Sequence, residues 1–365
     1  MKIERREFIS GLSAAGMFSL IGGNAFAAGR ERPVKFILMS DTHIESDFVE
    51  RGRPVYTCWK PGDHAALVRT YEFINADPYC RDADFALFCG DQVNTGYSRE
   101  QSDLDAEMKI YRRTLARLAL AAPVRDLGAF DFRARPYTCR ENLAKGQVPF
   151  DVTPPPLASR VIAIQGNHDT GCPEFYRDCS FKCGDVRIIA FFASYVGLPA
   201  PKGHYRSTGR ISDDTVAFVE REMARAAADP GVRHIVLACH WSIVNDDPKR
   251  FVCPLLDAEA RKGLNDNRRR ILALAEKYGC DLYLNGHEHS DSWPVGRIGS
   301  LFDVNCGTVT AEKGVGAFAV VEMTDERALM TVYSRARAKD DAGRCVITDL
   351  PQRLFVREIP LKPIR

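Results

Sequence analysis

Five short polar blocks, each placed directly after an apolar run, constrain how this chain of 365 residues can fold. The blocks are Ser-Asp-Thr-His (40–43), Cys-Gly-Asp (89–91), Gly-Asn-His-Asp (166–169), Cys-His-Trp (239–241) and Asn-Gly-His-Glu-His (285–289). Short apolar runs that end at Gly, Asn or Asp are typical of buried strands. Because open α/β sheets bind ligands at the carboxyl ends of their strands, the blocks predict an α/β fold with a site at one sheet edge.

Histidine is concentrated in the same blocks. The chain has eight histidines, and five of them lie inside the blocks. Imidazole, carboxylate and amide donors without a thiolate suit Mn, Fe, Zn or Co better than Ca or Cu(I). Seven such donors exceed what one ion accommodates comfortably, so they predict two divalent or trivalent ions that share a bridging carboxylate. The predicted ligands are Asp41, His43, Asp91, Asn167, His240, His287 and His289.

The order of the blocks resembles that of the calcineurin-like metallophosphoesterases. The family pattern Asp-x-His, Gly-Asp, Gly-Asn-His-Asp/Glu, His and Gly-His-x-His is matched at all five blocks, over residues 34–290. The resemblance implies a four-layer α/β/β/α sandwich of two mixed sheets. It also implies how the ligands divide between the two ions: Asp41, His43 and His289 hold the first, Asn167, His240 and His287 hold the second, and Asp91 bridges them.

The activity that this resemblance implies is hydrolysis of a small-molecule phosphate ester, the chemistry of a phosphoric ester hydrolase. Two cations about 4 Å apart lower the pKa of a shared water, which makes hydroxide available as the nucleophile, and they neutralise phosphoryl oxygens. His168 is expected to protonate the leaving oxygen, because histidine titrates near working pH. Asp169 is expected either to orient that imidazole or to cap a loop.

Asn94 departs from two branches of the family. Protein phosphatases have Asp-Arg-Gly beginning at this position, and purple acid phosphatases have a tyrosine there. The stretches 209–213 and 278–287 are instead similar to the bacterial cyclic-nucleotide phosphodiesterases of the family, which favours a phosphodiester substrate. A broad phosphomonoesterase or nucleotidase is the alternative within the class. A non-catalytic exported metal-binding protein and a disulfide-stapled exported interaction protein are the alternatives outside it.

The N-terminus resembles a twin-arginine signal peptide. Arg5 and Arg6 precede a Gly- and Ala-rich apolar run that ends in Ala-Phe-Ala at 25–27. The pattern predicts a signal over 1–27, a metallophosphoesterase domain over 28–365, a periplasmic location and the twin-arginine translocase as the partner in export. The apolar run is short and holds four glycines, so no stable membrane anchor is expected.

The charge balance excludes one class of partner. The net charge is +2, and removal of residues 1–27 takes away three Lys/Arg and two Asp/Glu, which leaves +1. A chain this close to neutral carries no general electrostatic attraction for nucleic acid or for an anionic membrane. No nucleic acid partner is therefore expected.

All twelve cysteines follow residue 27. In an oxidising compartment some are expected to pair, and the cluster at Cys172, Cys179 and Cys183 could form a disulfide beside the third block. A structural zinc in this cluster is the alternative. Further candidates for pairing are Cys58, Cys80 and Cys139, whereas Cys89, Cys239 and Cys280 lie in or beside strands and are expected to be buried thiols.

The stretch 95–159 is predicted to be an insertion. It begins with a helix over about 99–121 and continues as a Pro- and Arg-rich loop that is either a lid or a solvated excursion. Helices are predicted over about 212–228, with Ser212 as a plausible cap, and over about 265–278. Strand-like runs from residue 301 onward are expected to form a mostly antiparallel second sheet. Trp241 is expected to pack rather than to stack on a leaving group.

Overall fold

Two mixed β-sheets form the framework of the computed structural model. The structure describes residues 32–44, 64–94, 101–121, 125–132, 160–169, 172, 174–199, 205–243, 267–289, 293–307, 317–335, 337–339, 345–347 and 350–362. The predicted signal peptide, the boundary after residue 27 and most of the 95–159 insertion lie outside these residues, as do Cys58 and Cys139.

The first sheet has six strands and contains the first three polar blocks at its strand ends. The three strands on one side of the sheet run parallel to one another, and each of the other three pairs antiparallel with its neighbours. In spatial order they are β17 (Gln352–Pro360), β14 (Arg327–Ser334), β13 (Ala317–Met323), β1 (Val34–Met39), β2 (Phe85–Phe88) and β4 (Val161–Ala163).

The second sheet has seven strands and contains the last two blocks. In spatial order they are β11 (Val295–Ile298), β12 (Leu301–Asn305), β10 (Leu282–Asn285), β9 (His234–Ala238), β6 (Val186–Ala190), β5 (Cys179–Cys183) and β3 (Leu127–Phe132). Strands β12, β10, β9 and β6 run parallel. Two hairpins stand outside the sheets: β7 (Ser194–Pro199) with β8 (Tyr205–Arg210), and β15 (Arg337–Lys339) with β16 (Cys345–Ile347).

Helices cover the outer faces of both sheets. They are α1 (His64–Ala76), α2 (Pro78–Arg81), α3 (Gln101–Leu115), α4 (Asp213–Ala228) and α5 (Asn267–Tyr278). The predicted cap of α4 is confirmed, because the hydroxyl of Ser212 accepts a hydrogen bond from the Thr215 amide at 3.1 Å. No helix within the described part of the chain is long and apolar enough to cross a membrane.

Three apolar clusters define four layers. The largest lies between the sheets and includes Phe36 of β1 and Phe181 of β5. A second lies between the first sheet and α1 and α3, and a third lies between the second sheet and α4 and α5. Alternate residues of β1 and β2 belong to different clusters because a strand points successive side chains to opposite faces. The predicted α/β/β/α sandwich is confirmed.

The strand-like runs after residue 301, which are predicted to form a mostly antiparallel second sheet, are instead divided between the two sheets. Strand β12 joins the second sheet beside β10, whereas β13 pairs antiparallel with β1 of the first sheet. The physical reason is that the free edge of β1 and the free edge of β10 each offer unpaired backbone groups. An apolar run alone does not encode which of these edges it pairs with.

The helix of the insertion is part of the core. Leu104, Met108 and Tyr111 of α3 are buried in the cluster on the outer face of the first sheet. Residues 101–115 thus form a wall of the sandwich, whereas the Pro- and Arg-rich loop, predicted to be either a lid or a solvated excursion, lies mostly outside the described residues.

The expected disulfide near the third block does not form. All eight described cysteine side chains are free thiols and are buried. Cys179 and Cys183 lie four residues apart along β5, a separation of about 13 Å for an extended strand. Cys172 lies in the other apolar cluster, on the outer side of the first sheet. A disulfide needs Cα atoms within roughly 7 Å, so this arrangement does not suit one.

Candidate metal centre

The polar blocks converge because parallel strands end at the same edge. Strands β1, β2 and β4 of the first sheet and β9 and β10 of the second are each followed by one block. All seven predicted ligands lie at this end of the sandwich, with contacts that run from one sheet to the other. The site is therefore built from loops of both sheets.

Five of these residues have a left-handed backbone. The φ angles are 56° at Asp41, 42° at His43, 55° at Asp91, 71° at His287 and 49° at His289. This conformation costs roughly 1–2 kcal/mol for a residue with a side chain. Backbone hydrogen bonds between the loops stabilise it, for example from the amide of Asp41 to the carbonyl of Gly90 at 2.9 Å. Such strain is typical of functional sites.

Two glycines allow the loops to approach one another. A Cβ atom on Gly166 would lie 2.1 Å from Oδ1 of Asp91, and one on Gly286 would lie 1.8 Å from the hydroxyl of Ser40. Both distances are far below van der Waals contact. Only glycine fits at these two positions, since any side chain would displace a neighbouring loop of the site.

The first group of ligand atoms joins Asp41, His43 and His289. The Nε2 atoms of the two imidazoles lie 3.0 Å apart. Oδ1 of Asp41 lies 3.2 Å from Nε2 of His289 and 3.7 Å from Nε2 of His43. Three donor atoms that point at one spot are the arrangement expected of a metal site.

The second group surrounds Nε2 of His240. This atom lies 3.0 Å from Oδ1 of Asn167, 3.1 Å from Nδ1 of His287 and 3.2 Å from Oδ2 of Asp91. The same Oδ2 of Asp91 lies 3.7 Å from Nε2 of His43 in the first group. One carboxylate oxygen therefore reaches both groups, which is the position that the family resemblance implies for a bridging ligand.

Buried carboxylates and imidazoles shift one another's pKa in this site. Burial disfavours ionisation of Asp41, but the neighbouring His289 and His43 outweigh it and hold the carboxyl pKa well below its usual range. Burial also disfavours the charged form of His240, but Asp91 and Asp41 raise its pKa to about 10. The cluster therefore concentrates negative charge that favours cations.

Hydrogen bonds to main-chain and amide oxygens orient two of the imidazoles. Nδ1 of His240 donates to the carbonyl of Cys89 at 2.8 Å, and Nδ1 of His43 donates to Oδ1 of Asn94 at 3.2 Å. Because these oxygens only accept, Nδ1 of each ring carries a proton, and in the neutral ring the Nε2 lone pair faces the cluster. Metal-ligating histidines are commonly oriented in this way.

His168 lies beside both groups. Its Nδ1 donates to the main-chain carbonyl of Asn94 at 2.7 Å, and its ring contacts that of His43 edge-on, with centroids 4.8 Å apart. Burial lowers the pKa of His168 to about 4, although Asp91 acts in the opposite direction. Sequence reasoning treated Asn94 only as a departure from a pattern and missed its contacts with these two rings. No spacing rule signals them.

Asp169 has the loop-capping role, the second of its two predicted alternatives. One carboxylate oxygen accepts from the amides of Gln92 and Val93 at 2.7 and 3.0 Å, and the other accepts from the amide of Gly166 at 2.8 Å. Burial and the charge of Asp91 raise its pKa to about 8. Asp169 thus joins the second block to the third, while Asn94 orients His168.

Trp241 packs behind the site, as expected. The side chain is fully buried, its ring centroid lies 4.0 Å from that of His287, and its Nε1 donates to the carbonyl of Ala193 at 3.2 Å. A Cβ on Gly209 of β8 would lie 2.7 Å from the indole ring, so the hairpin holds the ring closely. The indole supports a ligand residue and has no surface left for a substrate.

The donor set fits a pair of metal ions. Imidazole nitrogens, carboxylates and one amide oxygen form two groups around a shared carboxylate, with oriented rings and buried acidic partners. Fold and site together define a metal-dependent phosphoesterase of the two-sheet sandwich type. Residues 34–291 match the family model described as calcineurin-like phosphoesterase, and the chain belongs to that family. This membership supports hydrolysis of phosphoesters as the activity.

The solved structures to which the chain is similar are distant in sequence. A dimetal phosphatase from Danio rerio is similar over 91% of this chain and 100% of that one, with a TM-score of 0.52 and 11% identity. A predicted phosphoesterase from Streptococcus pneumoniae covers 90% and 100%, with 12% identity and a TM-score of 0.34. Vps29 from Chaetomium thermophilum covers 90% and 97%, with 11% identity and a TM-score of 0.35. No curated protein sequence matches significantly.

Proposed function

We propose that this protein hydrolyses phosphate esters with two bound metal ions and that phosphodiesters, including cyclic nucleotides, are its preferred substrates. The observation that carries the proposal is the position of Asp91, whose Oδ2 lies 3.7 Å from Nε2 of His43 and 3.2 Å from Nε2 of His240. The proposed ligands are Asp41, His43 and His289 for one ion and Asn167, His240 and His287 for the other, with Asp91 between them.

The residues of the chain have separate tasks in this proposal. When bound, Mn, Fe or Zn ions would lower the pKa of a shared water and neutralise phosphoryl oxygens. In its imidazolium form His168 donates the Nε2 proton to the leaving oxygen and returns to the neutral ring, which keeps the Nδ1 proton held by the carbonyl of Asn94. The left-handed loops keep the ligand atoms in place before substrate arrives, so little reorganisation is needed.

Substrate preference is supported by sequence similarity at 209–213 and 278–287 to the cyclic-nucleotide phosphodiesterases of the family. The test compares turnover of bis-p-nitrophenyl phosphate and p-nitrophenyl phosphate by protein reconstituted with Mn, Fe or Zn, with and without a chelator. The proposal expects metal-dependent turnover and a higher kcat/KM for the diester. Preference for the monoester would establish the phosphomonoesterase alternative, and no turnover with any metal would favour a non-catalytic metal-binding protein.

The role of His168 has its own test. His168→Asn should lower kcat by about 10²–10⁴-fold for phenyl esters, whose leaving oxygen needs a proton, and less for p-nitrophenyl esters. His234→Asn is the matched control, because His234 is a buried histidine at the opposite end of β9, 3.2 Å from Asp281. Equal losses for both leaving groups would contradict the assignment of His168 as the proton donor.

Export is also part of the proposal. The sequence at 1–27 supports transport by the twin-arginine translocase to the periplasm, without a stable membrane anchor. Replacement of Arg5 and Arg6 by lysine should retain the protein in the cytoplasmic fraction of a bacterial host. Export that is unchanged in this variant would contradict the twin-arginine assignment.

A further inference from the structure

Asn94 contacts the imidazoles of His43 and His168 through different atoms. Its side-chain Oδ1 accepts from Nδ1 of His43 at 3.2 Å, and its main-chain oxygen accepts from Nδ1 of His168 at 2.7 Å. Its amide N–H is shared between the carbonyl of Ile44 at 3.0 Å and Oε2 of Glu107 at 3.1 Å. Asn94 itself is 7% exposed. Each of these polar groups thus has a directed partner.

The two oxygens of Asn94 set the tautomers of the two rings. An amide oxygen and a main-chain carbonyl only accept hydrogen bonds, so both rings must carry a proton on Nδ1. For His43 this leaves the Nε2 lone pair facing Nε2 of His289 at 3.0 Å. For His168 it leaves Nε2 as the atom that exchanges a proton. The ligand and the proton donor therefore depend on one residue.

Glu107 extends this contact to the helix layer. It lies on α3 and is fully buried, although glutamate is rarely buried without strong partners. Its neighbours Leu104, Met108 and Tyr111 pack against the outer face of the first sheet, so the carboxylate is held in a fixed position. The hydrogen bond to the amide of Asn94 ties the loop after β2 to this helix.

We propose that Asn94 is a positioning residue that fixes the tautomer and direction of both His43 and His168, and that Glu107 of α3 holds Asn94 in place. The roles of His43 as ligand and His168 as proton donor rest on the proposed function. The inference itself concerns hydrogen bonds within the protein and can be measured without turnover. It assigns the helix at the start of the insertion a function in arranging the site.

The side-chain and main-chain contacts of Asn94 can be separated by mutation. Asn94→Ala removes the contact with His43 and retains the carbonyl that orients His168. Long-range ¹⁵N–¹H spectra of histidine-labelled protein should then show His43 leaving the Nδ1–H tautomer while His168 keeps it. Titration with Mn²⁺ should show affinity at the group of His43 lowered by about 10–100-fold. Asn94→Asp retains an acceptor and should restore both properties.

Asn75→Ala is the matched control for these variants. Asn75 also uses both side-chain atoms in hydrogen bonds, to the main chain of Arg117 and Ala119, but it lies at the end of α1. Its loss should lower stability without changing either tautomer. Unchanged spectra and unchanged Mn²⁺ affinity in Asn94→Ala would overturn the proposal, and so would equal changes at both rings.

The contribution of Glu107 is tested on the same observables. Glu107→Ala should shift the main chain at Asn94 and change the spectra of both rings, whereas Glu107→Gln retains an acceptor and should preserve them. Lys109→Ala, an exposed change on the same helix, is the control. No change in Glu107→Ala would overturn the role of the helix. If Asn94→Ala does not fold, unaltered tautomers in Glu107→Ala would still overturn the proposal, and altered ones would support it.

Failure of this inference is distinguishable from failure of the proposed function. Absence of phosphoesterase activity in the parent protein with every metal would contradict the function and leave the spectra interpretable. A parent that is active and depends on metal, with tautomers indifferent to Asn94 and Glu107, would contradict the inference alone.

Discussion

At the scale of single residues, a carboxylate within a metal-binding block can serve the backbone rather than the chemistry. Asp169 accepts three hydrogen bonds from main-chain amides on two loops. Those loops hold Asp91 and Asn167, and the amides are buried. Asp169 therefore determines the distance between two ligand-bearing loops without reaching a ligand atom itself.

Asp169→Asn should destabilise the fold. An asparagine offers one accepting oxygen in place of two, so at least one buried amide among Gln92, Val93 and Gly166 loses its partner. An unsatisfied buried donor costs about 1–3 kcal/mol. Urea unfolding in the presence of a chelator measures this loss, and Asp229→Asn, which changes an exposed carboxylate paired with Lys182, is the control. Equal unfolding midpoints for Asp169→Asn and the parent would contradict the role of Asp169 in joining the two loops.

Gly166→Ala should disrupt the bridging carboxylate. The added Cβ would lie 2.1 Å from Oδ1 and 2.3 Å from the amide nitrogen of Asp91, so Asp91 must move. Because Asp91 reaches both groups of ligand atoms, we expect loss of both ions, measured as metal content after purification. Gly128→Ala on β3 is the matched control, since its Cβ would meet atoms no closer than 3.7 Å. Retention of two ions by Gly166→Ala would show that Asp91 does not bridge.

The residue types and their common location were predictable, whereas their conformations were not. Polar residues after buried strands must lie at a sheet edge, and the chemistry of their side chains limits the ions. The left-handed φ angles of Asp41 and His43 depend on hydrogen bonds to the loop at 90–91, which no local pattern encodes. The orienting role of Asn94 depends on its contacts with His43, His168 and Glu107, which are distant in the sequence and meet only in the folded protein.

At the scale of elements, a buried ion pair joins a helix to the second sheet. Arg187 of β6 donates to Glu222 of α4 at 2.7 Å and to the hydroxyl of Ser180 of β5 at 2.7 Å. The Glu222 side chain has no solvent exposure. Removal of one member of such a pair leaves the other charged and buried, which costs about 3–5 kcal/mol.

Glu222→Gln should therefore lower stability at neutral pH and flatten its dependence on acid. Burial opposes ionisation of Glu222, but the hydrogen bond from Arg187 and the charge of Arg225 outweigh it and lower the carboxyl pKa. A lowered pKa stabilises the fold above the unfolded value of 4.5, and this contribution disappears as the pH falls through the folded value. The difference between parent and variant should thus shrink below about pH 4.5.

Urea unfolding between pH 7 and pH 3, with a chelator present, measures this difference. Glu358→Gln is the control, because the pair of Glu358 with Arg327 is exposed and contributes at most about 1 kcal/mol. A constant gap between parent and Glu222→Gln across this range would mean that Glu222 is not ionised in the fold.

The elements themselves were largely predictable from periodicity and caps, but their partners were not. Helix α4 begins after the predicted cap Ser212, and α5 ends at Tyr278 as expected. The assignment of β12 to one sheet and β13 to the other was missed because both are short apolar runs. Each strand pairs with a different strand edge, and a short apolar run does not encode which edge that is.

At the scale of the whole molecule, each group of ligand atoms takes members from both sheets. Asp41 and His43 follow β1 of the first sheet, while His289 follows β10 of the second. Asn167 follows β4 of the first sheet, while His240 follows β9 of the second. Ions bound at either group would therefore cross-link the two halves of the sandwich.

This arrangement makes metal binding part of the stability of the fold. A ligand that binds only the folded state stabilises it by RT ln(1 + [L]/Kd), which is about 2.7 kcal/mol when the free concentration is 100 times Kd. We expect chelation to lower the unfolding midpoint and added Mn²⁺ to restore it. Three buried apolar clusters outside the site stabilise the fold, so the protein should remain folded after chelation rather than unfold completely.

Mutations can distinguish stabilisation by ions that bridge the two sheets from a local loss of stability at the mutated residue. His240→Ala should abolish the stabilisation that comes from the second group and retain a part that comes from His43 and His289, whereas Asp91→Ala should abolish both. His234→Ala changes a buried histidine of β9, the strand that precedes His240, and should lower stability while leaving the response to Mn²⁺ intact. An unfolding midpoint that is indifferent to chelator in the parent would mean that no ion bridges the sheets. Complete loss of the stabilisation by Mn²⁺ in Asp91→Ala, with partial loss in His240→Ala, would instead establish that a single carboxylate couples the two halves of the sandwich.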